Sequence, residues 1–390
     1  MPQLPLKNIR VLELGGYIAL PYATSLLCAL GADVVKVEKP VTGDDFRRGV
    51  NDESRYFMQY NAGKRSLSVD LKRPEGVDLV KALVPRFDVV VENMRPGKLA
   101  AIGLGYEVCA TLRPDLVFCS VTGFGEGGPL AQRPAYDTIG QSVGGLYTLL
   151  GDAGAPQLSG VTFADLVTGL STAAGVLAAL AARAGSGEGQ YVQTSILESV
   201  SALTVDAMTQ YFDTGQDPVR QSRHPQAQNF IPRTASDESI VVHISSSQKF
   251  WRGLCAAMKR PELVDDPRFA TYRLRETHYF ELADIVETEF AKKPAREWEE
   301  LLTEADVPFA PVLTMSGVAA HPQTAWLGLM EPERDGLSLV RPPWRFNGSR
   351  PDRSGTAPRV GQHTREIAAE VYDDAQLDRL VEAGVLFTDS

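Results

Sequence analysis

The sequence predicts an α/β protein: a doubly wound, Rossmann-like sheet in the N-terminal half and a smaller α+β block behind it. Three observations predict this class. Short apolar strands alternate with helical periods as far as residue 122. At 390 residues the chain exceeds the ~250–300 at which single cores stop growing, so two domains are expected. Beyond residue 213 the alternation gives way to a polar, proline-bearing stretch and then to charged helical patterns.

IRVLEL (residues 9–14) reads as a strand and GGYIALP as the loop after it, with Pro21 at a first helical position and Gly31 as the helix stop. ADVVKVE (32–38) is a second strand, which completes a βαβ unit, the building block of a parallel sheet. RSLSVDL (65–71), VDLVKALV (77–84), DVVVEN (88–93) and LVFCSVT (116–122) continue the alternation. TGFGEGGPL (122–130) is a glycine-rich loop leading to a helix over DTIGQSVGGLYTLL. Residues 213–233 read as a linker or exposed crossing segment, SIVVHIS (239–245) and VPFAPVLT as strands, and HYFELADIVETEFAKK and REWEELLTEA as helices. A last helix lies in DDAQLDRLVEAGVL.

The stretch 159–197 organises the rest. Leu166, Val167, Leu170, Ala174, Val176, Leu177, Ala178 and Leu180 cover nearly every face of one helix, as in a buried helix. The apolar run falls short of the ~20 residues a membrane span needs, and its small residues suit close packing. It ends at Arg183 and AGSGEG, before the strand QYVQTSI. Asp165 stands at its mouth. From the residues alone this acid has a structural reading, because Thr162 to Asp165 has the spacing of a capping box and an acid in a first turn answers the helix dipole. Its functional reading is a carboxylate at the mouth of a buried helix.

Composition narrows the function. Hydrophobic residues make up 44% and charged residues 23%, as in ordinary globular proteins, and the net charge of −10 argues against nucleic acid as the default partner. Cys28, Cys109, Cys119 and Cys255 form no CxxC pair, and the five histidines are scattered, so a reducing compartment and no metal site are expected. MPQLPLKNIRVLEL has neither a signal h-region nor a transit pattern, which makes the cytoplasm the expected location. Gly15-Gly16-Tyr17-Ile18-Ala19-Leu20-Pro21 does not match GxGxxG, and the 122–130 loop lacks the Lys-Ser/Thr ending of a P-loop. A dinucleotide-dependent oxidoreductase on the same sheet is therefore the more distant alternative.

Several ordered motifs resemble one family. RVLELGGYIALPYATSLLCALGADVVKVEKP is followed by GDDFRRG, YNAGKRSLSVDLKRPEG, VVVENMRPGKLAAIGLGY and CSVTGFGEGGPLAQRPAYD; then come the ADL around Asp165, GSGEGQYV, VPFAPV and GQHT. The chain resembles family III CoA-transferases of the CaiB/BaiF type over essentially its whole length. The resemblance implies a large α/β domain built from both chain ends (1–215 and 325–390), a small α+β domain (225–320), and an interlocked homodimer. It implies Asp165 as the catalytic carboxylate and coenzyme A as a substrate with no tightly bound cofactor, while the net charge and the short apolar run leave no nucleic-acid or membrane partner expected. Ile18 and Ala19 fall on the loop lying against CoA, with Lys39, Val69, Lys72, Asn93, Met94, Arg95, Lys98 and Tyr136 as further CoA-site positions. Lys39, Lys72 and Arg95 would face its phosphates. Where some relatives carry basic residues this chain has Ala101 and Pro134, with Lys98 and Arg133 nearby.

The patterns GDDxR and PGKLxAxGLGYE are similar to those of enzymes using succinyl-CoA with small dicarboxylic or hydroxy acids. Arg47, Arg48, Arg223, Arg233 and the serines 245–247 are candidates for holding a second carboxylate. The serine run departs from the glycine-rich lid of oxalate-using relatives. α-Methylacyl-CoA racemases share the fold and are the nearer alternative, but they place a histidine where this chain has Tyr136, and racemisation needs two acid/base groups. A non-catalytic CoA-binding protein would follow if Asp165 only capped its helix.

Overall fold

The computed structural model describes residues 4–47, 54–152, 154–333, 336–353 and 355–389. The chain divides into two compact units: residues 1–147, 158–209 and 328–390 form the first, and 148–157 with 210–327 form the second.

The first unit is built on a seven-stranded sheet. Its strands are β1 (Arg10–Leu14), β2 (Asp33–Glu38), β3 (Arg65–Val69), β4 (Val89–Glu92), β5 (Val117–Thr122), β6 (Gln190–Ser195) and β10 (Leu386–Phe387). They lie in the order β10-β3-β2-β1-β4-β5-β6, all parallel except β10, which runs antiparallel to β3. The apolar runs read from the sequence are explained by burial of both sheet faces. Leu12, Leu14, Val35, Val37 and Val90 pack on one side. Val11, Val34, Val89, Val91 and Val117 pack on the other. The order places a topological switch point between β1 and β4, where loops diverge and leave a crevice beyond the strand ends.

Helix boundaries correct several expectations. The first helix spans Ala19–Ala29 and begins two residues before Pro21, so Ala19 is its first residue rather than part of the loop. DTIGQSVGGLYTLL forms two pieces, Asp137–Val143 and Leu146–Leu150, broken where Gly145 takes a φ of 77°. The long helix runs Phe163–Ser186, 24 residues, and stops at Gly187, whose left-handed backbone returns its N–H to the Arg183 carbonyl. Its length and composition suffice to cross a membrane, so shortness does not exclude a span. Its inner face is packed in the protein core, with Ala164, Thr168, Thr172, Ala173, Val176 and Ala179 buried. The helix is not buried all round: Leu170 is 41% exposed and Ala174 and Ala178 are open beside it. All four cysteines are free and buried.

The second unit has a three-stranded antiparallel sheet of β7 (Asn229–Phe230), β8 (Ile240–His243) and β9 (Phe309–Pro311), in that order. Its helices Gln248–Ala257, Tyr279–Phe290 and Ala295–Glu304 close over Trp251, Phe269, Phe290 and Trp298. The 213–233 stretch, read as linker, contains the short helix His224–Ala227 and strand β7.

Candidate active site

The crevice beyond β1 and β4 is shaped by backbone that only glycine permits. A Cβ on Gly15 would lie 2.0 Å from Asn93 Oδ1, and one on Gly16 would lie 2.6 Å from Asp44 Oδ1. The empty space admits Asn93, whose Oδ1 accepts the Gly16 N–H at 3.2 Å while its Nδ2 donates to the Gly16 carbonyl at 3.0 Å. That pair ties the β1 loop to the β4 loop. Gly15→Ala forces Asn93 out of this position, and an unfolding titration in urea is expected to read a loss of about 1–3 kcal/mol.

Tyr17 follows with a φ of 68°, a left-handed conformation that a non-glycine residue adopts only under constraint. Asp44 supplies the constraint: its Oδ1 accepts from Tyr17 N at 3.2 Å and from Phe46 N at 2.9 Å. The Tyr17 ring stands edge-on to Tyr136 at 5.4 Å and tilted against Phe46 at 6.4 Å, and Phe46 leads on to Tyr60 at 6.2 Å. An aromatic wall therefore lines this end of the sheet.

Beneath the wall lies a buried charge network with three acids and three bases. Glu13 and Lys36 are register partners across β1 and β2, and their charges meet at 2.7 Å. Lys64 approaches the other Glu13 oxygen at 2.8 Å. Lys36 also donates to the Gly15 carbonyl at 2.9 Å and pairs with Asp44 Oδ2 at 2.8 Å, so the network reaches the crevice loops directly. Burial opposes ionisation of Glu13, yet Lys36 and Lys64 overcome it and hold its carboxyl down at about 2. Arg47 completes the set with two 2.8 Å bonds to Glu38. This corrects its reading as a substrate clamp: Arg47 is buried and engaged with Glu38. Arg48 lies outside the described residues.

Asp165 is the third residue of the long helix and is half-buried. The expected capping box is not formed, because the Thr162 side chain makes no capping bond. One turn further, Gly169 allows contact with the first helix: a Cβ there would lie 2.7 Å from the Tyr22 ring and 2.8 Å from the Ala19 carbonyl oxygen. Residues four apart share a helix face, so the contact sets Asp165 beside the start of the first helix. Among the described residues no donor bonds its carboxylate. Burial first, and the Asp137 charge second, push its carboxyl up to about 7. Burial and the Asp165 charge likewise push up the Tyr60 hydroxyl.

The expected basic positions of the CoA site follow strands at the same end of the sheet. Lys39 follows β2, is exposed and pairs with Asp45. Lys72 follows β3, while Asn93, Met94, Arg95 and Lys98 follow β4. Lys72, Arg95 and Lys98 are exposed and make no ion pair among the described residues. Ile18 caps the first helix and Ala19 is buried in it; Tyr136 is 56% exposed. The Val69 side chain lies in the apolar core, which leaves only its backbone for a ligand. Arg223, Arg233 and the serines 245–247 belong to the second unit, where Arg233 pairs with Asp237 and Ser247 caps the helix Gln248–Ala257.

Sequence reasoning assigned no role to Glu92 or Asp137. Burial pushes Glu92 up to about 7, with the Glu126 charge adding to it, although Ser120 and the Met94 N–H, at 2.7 Å, favour its anion. Glu92 thereby fixes the backbone of the β4 loop. Both acids stand in motifs quoted above, ENMRPG and AYD, but their partners come from other segments.

An open, mostly parallel sheet with glycine-shaped loops at its switch point, and beside them a carboxylate without a partner among the described residues, defines an α/β protein with a ligand crevice at its strand ends. A family model described as CoA-transferase family III matches residues 6–364. The human succinyl-CoA:glutarate CoA-transferase is 34% identical over 98% of this chain and 90% of its own length. The succinate–glutarate CoA-transferase of Agrobacterium fabrum is 35% identical over 94% of this chain and 96% of its own. A crystal structure of a CAIB/BAIF family protein from Brucella suis superimposes with a TM-score of 0.81 at 34% identity, over 94% of this chain and 99% of that one. The chain belongs to CoA-transferase family III.

Proposed function

We propose that this enzyme transfers CoA from succinyl-CoA to a small dicarboxylic acid through covalent intermediates on Asp165. The observation that carries the reading is the Asp165 carboxylate, accessible, without a hydrogen-bond donor among the described residues, and beside the crevice. An Asp165 oxygen attacks the thioester carbonyl carbon, the C–S bond breaks, and CoA leaves as a thiolate, giving an aspartyl mixed anhydride. The thiolate then attacks the aspartyl carbonyl carbon, releasing succinate and leaving an aspartyl-CoA thioester. The acceptor carboxylate attacks that thioester and the cycle runs in reverse, so CoA passes between acids without ATP or metal. A carboxylate with raised proton affinity is a better nucleophile than an ordinary one once ionised.

The CoA chain follows the sheet edge in this reading. Lys39, Lys72, Arg95 and Lys98 supply positive charge for its phosphates, and Ile18, Ala19, Val69, Asn93, Met94 and Tyr136 supply shape and backbone contacts. Residues 1–215 and 325–390 act as the CoA-binding domain and 225–320 as the small domain. The enzyme works in the cytoplasm as an interlocked homodimer. Support for the dimer is the open apolar stripe Leu170, Ala174 and Ala178 on a helix whose opposite face is packed inward.

Incubation with succinyl-CoA and glutarate tests the reading. Glutaryl-CoA and free succinate are expected in equal amounts, with ping-pong kinetics. Absence of exchange across a panel of short dicarboxylate and hydroxy-acid acceptors, with correctly folded protein, overturns it.

A further inference from the structure

We propose that Asp137 is a positioning residue for the reaction at Asp165: it caps the long helix from a neighbouring helix and holds a second negative charge beside the nucleophile. The inference rests on the nucleophilic role proposed for Asp165 above.

Helices begin with N–H groups that have no partner inside the helix, and an N-cap side chain ordinarily serves those of the second and third residues. Thr162 occupies the N-cap but contributes no side-chain bond. Asp137 Oδ1 takes over both bonds from outside the helix, accepting from Ala164 N at 2.9 Å and Asp165 N at 3.2 Å. The backbone of the nucleophile is thus tied directly to the carboxylate of Asp137.

Asp137 is itself held. Gln141 donates to its Oδ2 at 2.6 Å and to the Val161 carbonyl at 3.1 Å, and the Gln141 carbonyl oxygen accepts from Ser159 Oγ at 2.7 Å. Gln141 is completely buried, while Asp137 and Ser159 at either end of the bracket are partly buried. Gly140 brings the supporting helix close: a Cβ there would lie 2.1 Å from Ile196 Cγ2 and 3.2 Å from Ala164 Cβ.

The electrostatic consequence follows from which acid holds the helix terminus. Asp137 receives the favourable N–H bonds, whereas Asp165 faces burial and the like charge of Asp137. The groups facing the pair do not relieve it. Tyr22 and Tyr60 stand near Asp165, Tyr147 faces Asp137, and Glu198 turns back to Ser195 at the start of its own helix. No basic side chain pairs with either carboxylate among the described residues. When Asp165 attacks a thioester, its negative charge passes to the departing sulfur, away from Asp137, which is not consumed in the step. Repulsion present before the attack is released by it, and this favours the covalent state.

Two measurements test the role. The first needs no substrate: the stability difference between wild type and Asp165→Asn, followed against pH, reads the proton affinity of Asp165. In an Asp137→Asn background, which keeps an oxygen acceptor, that transition is expected to move down by about one pH unit. The second is single-turnover acylation by succinyl-CoA, read as hydroxylamine-trapped label on the Asp165 peptide. Its acid limb is expected to move down in parallel, with the upper plateau about 10-fold lower. Asp137→Glu, which restores the charge, is expected to return the limb towards wild type. An unchanged substrate-free transition in Asp137→Asn overturns the charge role. If wild type forms no adduct while that transition still moves, the nucleophilic reading of Asp165 and the catalytic part of this inference fall, and only the cap and its charge coupling stand.

Discussion

Asp165→Asn is expected to abolish the acyl adduct and reduce CoA transfer by at least about 10³-fold, because an amide cannot form the anhydride. Quenched mass spectrometry of the Asp165 peptide reads the adduct and product chromatography reads the transfer. Stability is expected to change in the opposite direction. The folded protein holds the Asp165 proton up to about pH 7, whereas an unfolded aspartate loses it near ~3.9. Between those values the native state binds more protons than the unfolded chain, so this residue makes stability fall as pH rises. The neutral amide removes that loss. The variant is therefore expected to melt higher than wild type at pH 8, with the difference closing below about pH 4. A variant that retains transfer ends the nucleophilic reading; an equal melting temperature at both pH values ends the account of a destabilised carboxylate.

Lys36→Ala is expected to cost the most stability of any single change at the crevice, about 3–5 kcal/mol, because it takes a cation from two buried acids at once and leaves Glu13 with Lys64. Lys36 is completely buried and its ammonium meets Glu13 at 2.7 Å and Asp44 at 2.8 Å. Urea unfolding monitored by circular dichroism measures the loss, and a cost below about 1 kcal/mol contradicts the network as a load on the fold. The acid side carries a second signature. Glu13 titrates at about 2 in the folded protein against ~4.3 for a free glutamate, so its contribution is present above the unfolded value and is lost as pH falls towards 2. Removing Lys36 raises the Glu13 value and shrinks that contribution. Because Asp44 holds Tyr17 in its left-handed conformation, the same variant is expected to weaken CoA binding as well.

Much of the sheet was legible because a parallel strand buried on both faces must be largely apolar, and RVLEL, DVVKVE, VVVE and VFCSVT each have an interior that is apolar but for at most one polar residue. The stop of the long helix was legible for a local reason too, since Gly187 adopts a backbone that suits glycine. β7 and β10 were not. Each has two residues, too few for a period, and β10 is defined only by pairing with β3, more than 300 positions earlier in the chain. At the site, Asp165 stood out as an acid at the mouth of an apolar helix, while its capping box failed because Asp137 supplied the bonds instead.

The sequence by itself determined the α/β class, the lone carboxylate at residue 165, and the glycines that bend the loops beyond the strands. Each depends on a residue's own chemistry or on neighbours within a few positions. Tertiary structure alone decided the partners of the charged side chains. Glu13 and Lys36 are each the one charge in the interior of its strand, and only the parallel register sets them opposite one another. Arg47 became a buried partner of Glu38 rather than a clamp, and Asp137 became the cap of a helix that begins 26 residues after it, at Phe163. Electrostatic energy depends on distance and burial, and both are set by how segments remote in sequence pack together.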